Sequence, residues 1–184
     1  MVIPTADLIC PGEFGIEPQY DGVFSSNSGH AFLLNTQFGL TPRLEAGLDF
    51  DLSNDSDNRL LTNFKYLVLQ DSEHRPAVAV GVCSMAPNIK SSPYVVATQD
   101  FESFRGHLGV MRTEDNNRWF VGADKAMNDR FTLMADYTSG DENCSSIGFS
   151  YQKTDRFGIL AGMIFPNDSK EDTGFSVHLV FSGI

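Results

Sequence analysis

No stretch of this 184-residue chain approaches the roughly 18 uninterrupted apolar residues that a membrane-crossing helix needs. A helical membrane protein is therefore excluded. Basic residues are scarce, 13 Lys and Arg against 24 Asp and Glu, for a net charge of −11 and a pI near 4.6. Such a chain repels phosphate backbones, so nucleic acid is not an expected partner. Nor is there a Lys/Arg-rich run that would hold it on anionic lipid. Its three cysteines, Cys10, Cys83 and Cys144, cannot all pair within the chain, and their spacing fits no metal site. A lipid-modified Cys10 is disfavoured, because Ile9 stands where a small residue is needed. The first six residues lack a basic region and a long apolar region, so an exported protein would have lost its signal already. No Gly-rich phosphate loop, metal cluster or nucleotide fingerprint occurs, and no cofactor is expected.

What the sequence has is alternation. In Leu44–Leu52, the residues Leu44, Ala46, Leu48, Phe50 and Leu52 share one face, and Glu45, Gly47, Asp49 and Asp51 share the other. Phe131, Leu133, Ala135 and Tyr137 repeat the pattern, as do Ile147, Phe149 and Tyr151, and then Phe175, Val177, Leu179 and Phe181. Period two with one apolar and one wet face is the requirement of a β-strand. Cutting at turn residues predicts about twelve strands: 12–24, 30–40, 43–52, 59–70, 75–86, 93–101, 103–113, 117–126, 129–139, 143–153, 155–165 and 173–183. Most are near the length at which a tilted strand crosses a bilayer, about 9–11 residues. Residues 1–11 are read as an N-terminal periplasmic segment and 12–184 as one barrel domain.

Every second connection reads as long and polar: Ser25–Gly29, Ser53–Asn58, Pro87–Ser92, Glu114–Asn117, Ser139–Asn143 and Pro166–Thr173. Those between are tighter, at Thr41-Pro42, Asp71–His74, Glu102, Met127-Asn128 and Thr154. Three tight ones place Arg directly after the turn: Arg43, Arg130 and Arg156. Alternating long and short connections point to an up-and-down antiparallel barrel with both termini on the periplasmic side. A soluble barrel or sandwich with the apolar face inward is the alternative. Twelve strands would enclose a space that Leu and Phe could hardly fill. The polar face also carries many glycines, among them Gly39, Gly47, Gly81, Gly109 and Gly122, which an outer wet surface does not need.

With the apolar face outward, the lumen collects Glu17, Asp21, Glu45, Asp49, Asp51, Asn63, Lys65, Arg105, His107, Arg118, Asp124 and Asp136. Asp49 is expected roughly opposite Asn63 and Lys65. Two functions fit this lining. One is a narrow water-filled channel whose acidic excess favours cations. The other is a structural barrel plugged by paired charges, anchoring or accompanying another envelope component. Catalysis is a weaker possibility. Ser176 and His178, two apart on one strand face, and Ser103, Arg105 and His107 are the Ser–His candidates, but a nucleophile also needs an orienting third group. We expect no enzyme. The acidic runs Asn54–Asn58 and Asn167–Asp172 lack the Gly and closing Glu of a calcium loop, and read as solvated loops.

Several short motifs resemble the YjbH-like group of small bacterial outer-membrane barrels. They are Ile3-Pro-Thr-Ala-Asp7, Gly39-Leu-Thr-Pro-Arg-Leu-Glu-Ala-Gly47, Pro93-Tyr-Val-Val-Ala97, Phe120-Val-Gly122, Ala135-Asp-Tyr137 and Phe165-Pro-Asn167. The resemblance implies a Gram-negative outer-membrane location and an association with exopolysaccharide production. It carries over no catalytic residues. Outer-membrane lipid is the expected surrounding, and another envelope protein is the partner that the structural alternative implies. The oligomeric state is left open.

Overall fold

A computed structural model describes residues 3–25, 29–53, 59–87, 89–113 and 116–183. Twelve strands form one closed antiparallel barrel: β1 Phe14–Val23, β2 His30–Thr41, β3 Leu44–Asp51, β4 Leu60–Leu69, β5 Ala77–Met85, β6 Ser92–Phe101, β7 Phe104–Thr113, β8 Asn116–Asn128, β9 Phe131–Thr138, β10 Cys144–Thr154, β11 Phe157–Pro166 and β12 Gly174–Gly183. Each pairs with its sequence neighbours, and β1 closes on β12 with Tyr20 opposite Val177. Closure leaves no unpaired sheet edge. The twelve-strand up-and-down topology expected from alternation is the one found.

The strand ends depart from the expected connections at two places. Residues 70–76 form a longer link, pinned by a Ser72–Arg75 bridge, where a tight turn was anticipated. Between β7 and β8 the long connection expected at 114–117 shrinks, because β8 already begins at Asn116. The acidic run at 54–58 lies outside the described residues. That at 167–172 is a turn closed by Glu171 N–H on the Asp168 carbonyl and Lys170 N–H on the Asp168 carboxylate.

The three Arg turns share one local mechanism. In each, a side chain two residues before the Arg accepts the Arg backbone N–H: Thr41 for Arg43 (3.2 Å), Asn128 for Arg130 (2.9 Å) and Thr154 for Arg156 (3.3 Å). This is the turn chemistry that favours Asn and Thr at such positions. Each turn follows a register shift in its hairpin, at Gly39/Thr41, Ala126/Asn128 and Gln152/Thr154.

Alternation puts Leu, Val, Ile and aromatic side chains on the outside; Leu108, Ile147, Val110 and Val95 are each at least half exposed. Aromatic pairs mark both ends of this apolar belt. Near the short turns lie Phe101–Phe104, Phe131–Phe149 and Phe157–Phe181, with ring centroids 4.9, 5.4 and 5.1 Å apart. Near the long loops lie Trp119–Tyr137 and Phe24–Phe175, at 5.1 and 5.3 Å. An apolar band between aromatic girdles is the outside of a barrel that contacts lipid.

The core sits inside the barrel and is one-sided. Inward-facing Leu67, Ala79, Tyr94, Val96 and Phe120 cluster on the β4–β8 wall, and Ile3 and Ala6 of the N-terminal segment complete the cluster. The residues ahead of the first strand, set apart from the barrel in the sequence reading, thus lie within it from Ile3 onward. Glycines make room for the inward rings: a Cβ on Gly81 would meet the Tyr94 ring at 2.3 Å, and one on Gly109 the Phe120 ring at 2.2 Å.

Candidate functional site: a lumen divided by the N-terminal segment

The chain reverses just before β1. Glu13 N–H closes on the Cys10 carbonyl (3.0 Å), with Gly12 at φ 84°, a left-handed conformation that suits glycine. This turn sends residues 10 to 3 into the lumen from the short-turn end. Gly39 on β2 must lack a side chain there, because a Cβ would sit 2.1 Å from the Cys10 carbonyl oxygen.

Three polar contacts fix the segment to three strands. Ile9 N–H donates to Glu45 on β3 (2.9 Å) and Ala6 N–H to the Thr98 hydroxyl on β6 (3.0 Å). Both Asp7 carboxylate oxygens accept from Arg105 Nη2 on β7 at 2.7 Å. Each anchor is itself held. Lys65 pairs with Glu45 at 3.0 Å, Arg105 Nε pairs with Asp100 at 2.8 Å, and Thr98 contacts His107 Nδ1 at 3.0 Å, whose Nε2 meets Asp124 at 2.7 Å.

Burial works to raise the Asp7 carboxyl pKa, but the hydrogen bonds and charge of Arg105, with the Thr5 hydroxyl, outweigh it and leave it below the ordinary value. A depressed carboxylate contributes stability above its unfolded pKa and loses it as pH falls through the folded one. Wild-type protein should therefore melt above Asp7→Asn at neutral pH. The gap should shrink as pH drops below about 4, the ordinary carboxyl value, in parallel thermal melts.

The opposite wall differs in charge. On β1 and β12, His178 Nδ1 meets Glu17 at 2.5 Å and His178 Nε2 meets Ser176 at 2.6 Å. The Ser176 hydroxyl in turn donates to Asp21, which also accepts from Gln19 (2.8 Å). On β3, Asp49 accepts from Asn63 at 2.5 Å. Among the described residues no Lys or Arg forms an ion pair with Glu17, Asp21 or Asp49. Cross-strand register sets Glu17, Asn35 and Asp49 in one row across β1–β3. Beside the segment lies a space of about 750 Å³, bordered by Asp7, Glu45, Asp49, Lys65, Arg105 and Ser150 among others, while Glu17, Asp21, Ser176 and His178 line a second cavity of about 210 Å³.

The remaining inward residues lie nearer the ends or under the segment. Arg118 reaches Glu142 in the β9–β10 loop (2.6 Å). The Glu142 backbone N–H and then Arg118 hold that carboxyl below its usual value. Asp51, at the long-loop end of β3, accepts from Ser53 N–H (3.0 Å). Asp136 is buried opposite Gly122, where Ile3 packs. One expected pairing is corrected: Lys65 stands opposite Glu45 in register and pairs with it, and Asn63 alone reaches Asp49. The inward apolar residues Tyr94, Val96 and Phe120 and the lumen course of residues 3–10 were not anticipated.

Ser176, His178 and Glu17 form a Ser–His–carboxylate series. The Ser176 hydroxyl contacts both Asp21 and His178 Nε2.

No family model matches the chain, and no curated protein matches it. The likeness to YjbH-like barrels in its short motifs thus finds no support from either comparison. Solved structures do match. A structure described as "KdgM porin" aligns with a TM-score of 0.72 at 12% identity, over 92% of this chain and 99% of that one. A second, "KdgM porin in complex with disordered oligogalacturonate", aligns at 0.72 and 11% identity over the same shares. The chain shares the closed twelve-strand barrel fold of the KdgM porin.

Proposed function

We propose that this protein is an outer-membrane channel for small solutes, with a narrow lumen whose open wall favours cations. Support for the location is the closed barrel with an outward apolar belt between two aromatic girdles, together with its likeness in fold to a porin. In this placement the short turns and the N-terminus face the periplasm. Direct catalysis has no place in the reading.

The observation that carries the selectivity is the uneven pairing of lumen charge. Arg105 and Lys65 sit on the segment's side, neutralising Asp7, Asp100 and Glu45. Asp49 borders the space beside the segment and is hydrogen-bonded without an ion pair to Lys or Arg; Glu17 and Asp21, likewise without one, line a second cavity with Ser176 and His178. Rings or rows of such carboxylates select for cations. Oligogalacturonate, bound by one structural neighbour, is a polyanion, and this wall would repel it. Cations and small neutral solutes fit better.

Reversal potentials across a bilayer under a salt gradient test the proposal. Asp49→Asn with Glu17→Gln should move the reversal potential toward the unselective value, with conductance retained. An unchanged cation preference would rule out this wall as the selective element. One observation favours a second reading, a plugged structural barrel accompanying another envelope component: residues 3–10 already occupy part of the lumen. Complete absence of conductance would decide for it.

A further inference from the structure

The lumen segment raises a question the channel reading leaves open: whether it blocks, gates or shapes the path. Its seating is anchored along its length. Ile3 and Ala6 are almost fully buried against Tyr94, Val96 and Phe120. Between them and the turn at Gly12, the backbone or side chains of Ala6, Asp7 and Ile9 are tied to β6, β7 and β3. The wall it covers is the apolar one, so withdrawing it would put Tyr94, Val96, Phe120 and Ala79 in water. The wall it leaves uncovered mixes Thr132, Ser146, Ser150, Ser176 and His178 with Met134, Leu160 and Ile164. Apolar lining inside the barrel is concentrated where the segment lies, which is what a permanent occupant requires and a mobile gate does not.

We infer that residues Ile3–Cys10 are a fixed inner wall that sets the size limit of the channel. This rests on the proposed channel function and assigns to the segment the narrowing of the path to the space beside β1–β3 and β9–β12. The positioning residues are Gly39, which admits the Cys10 backbone, and Arg105 and Thr98, which hold Asp7 and Ala6. Solutes pass beside the segment, past Glu45, Asp49 and Asp124.

Single-channel recording with neutral polymers of graded size provides the test, on wild type and two variants. Deletion of residues 3–10 should raise conductance and admit larger polymers. Gly39→Val keeps every residue of the segment but drives a side chain into the Cys10 carbonyl, and should give the same rise if the deletion variant fails to fold. Wild type should show one steady level. A size limit unchanged in both variants would overturn the inner-wall role while leaving the channel standing. Wild-type switching between its own level and that of the deletion variant would make the segment a gate and overturn its fixity. No conductance in wild type or in either variant would sink the channel reading itself.

Discussion

Leu48→Arg should prevent stable insertion into bilayers, whereas Ser150→Arg should insert normally and alter ion selectivity. Leu48 lies midway along β3 on the outer face and is 39% exposed to the surroundings. Arg at the midplane of a lipid-facing barrel surface costs about 2–4 kcal/mol, a large share of the marginal stability of a typical domain. Ser150 faces inward on β10 and borders the lumen space, where an added guanidinium remains hydrated. Its positive charge would share that space with Asp49 and lower the preference for cations. Folding into lipid vesicles, followed by the gel-mobility difference between folded and boiled barrels, reads the first effect. Equal insertion by both variants would contradict the assignment of faces.

Phe120→Ala should cost about 3–5 kcal/mol, the usual range for removing a buried aromatic ring. Phe120 is fully buried although it points into the lumen; its ring lies over Gly109 and belongs to the cluster that seats Ile3 and Ala6. Removing it leaves a hole beside the segment that the stiff closed sheet cannot collapse to fill. Val121→Ala, one residue further and facing lipid, should cost far less, because acyl chains close over the gap. Urea unfolding of the two variants in vesicles would compare them. Similar losses would mean that the inner cluster contributes little.

The barrel was legible in the sequence because alternation survives on nearly every strand. In β3 each of Leu44, Ala46, Leu48 and Phe50 reads outward and each of Glu45, Gly47, Asp49 and Asp51 inward without ambiguity. The Arg turns were legible as a repeated wording, and their geometry supplies the reason. The interior was less so. Tyr94-Val-Val and Trp119-Phe-Val are apolar at consecutive positions, so parity alone cannot distinguish a lipid-facing ring from one buried inside. Ile3–Cys10 has neither period, and nothing in it signals a lumen course; the nearest hint was a clutter of inward glycines, one of which, Gly39, proves to be the passage for that backbone. Pairing was read less closely: Asp49 stands opposite Leu61, so Asn63, two residues on, is its diagonal neighbour, whereas Lys65, four residues on, falls opposite Glu45.

The course of the first residues also constrains the order of assembly. Ala6 meets Thr98 across 92 positions and Asp7 meets Arg105 across 98. Neither contact can form until β6 and β7 have joined their neighbours and the curved wall exists. Ala6 and Asp7 thus settle late, after the wall that receives them, and a barrel that closed before they entered would shut them out.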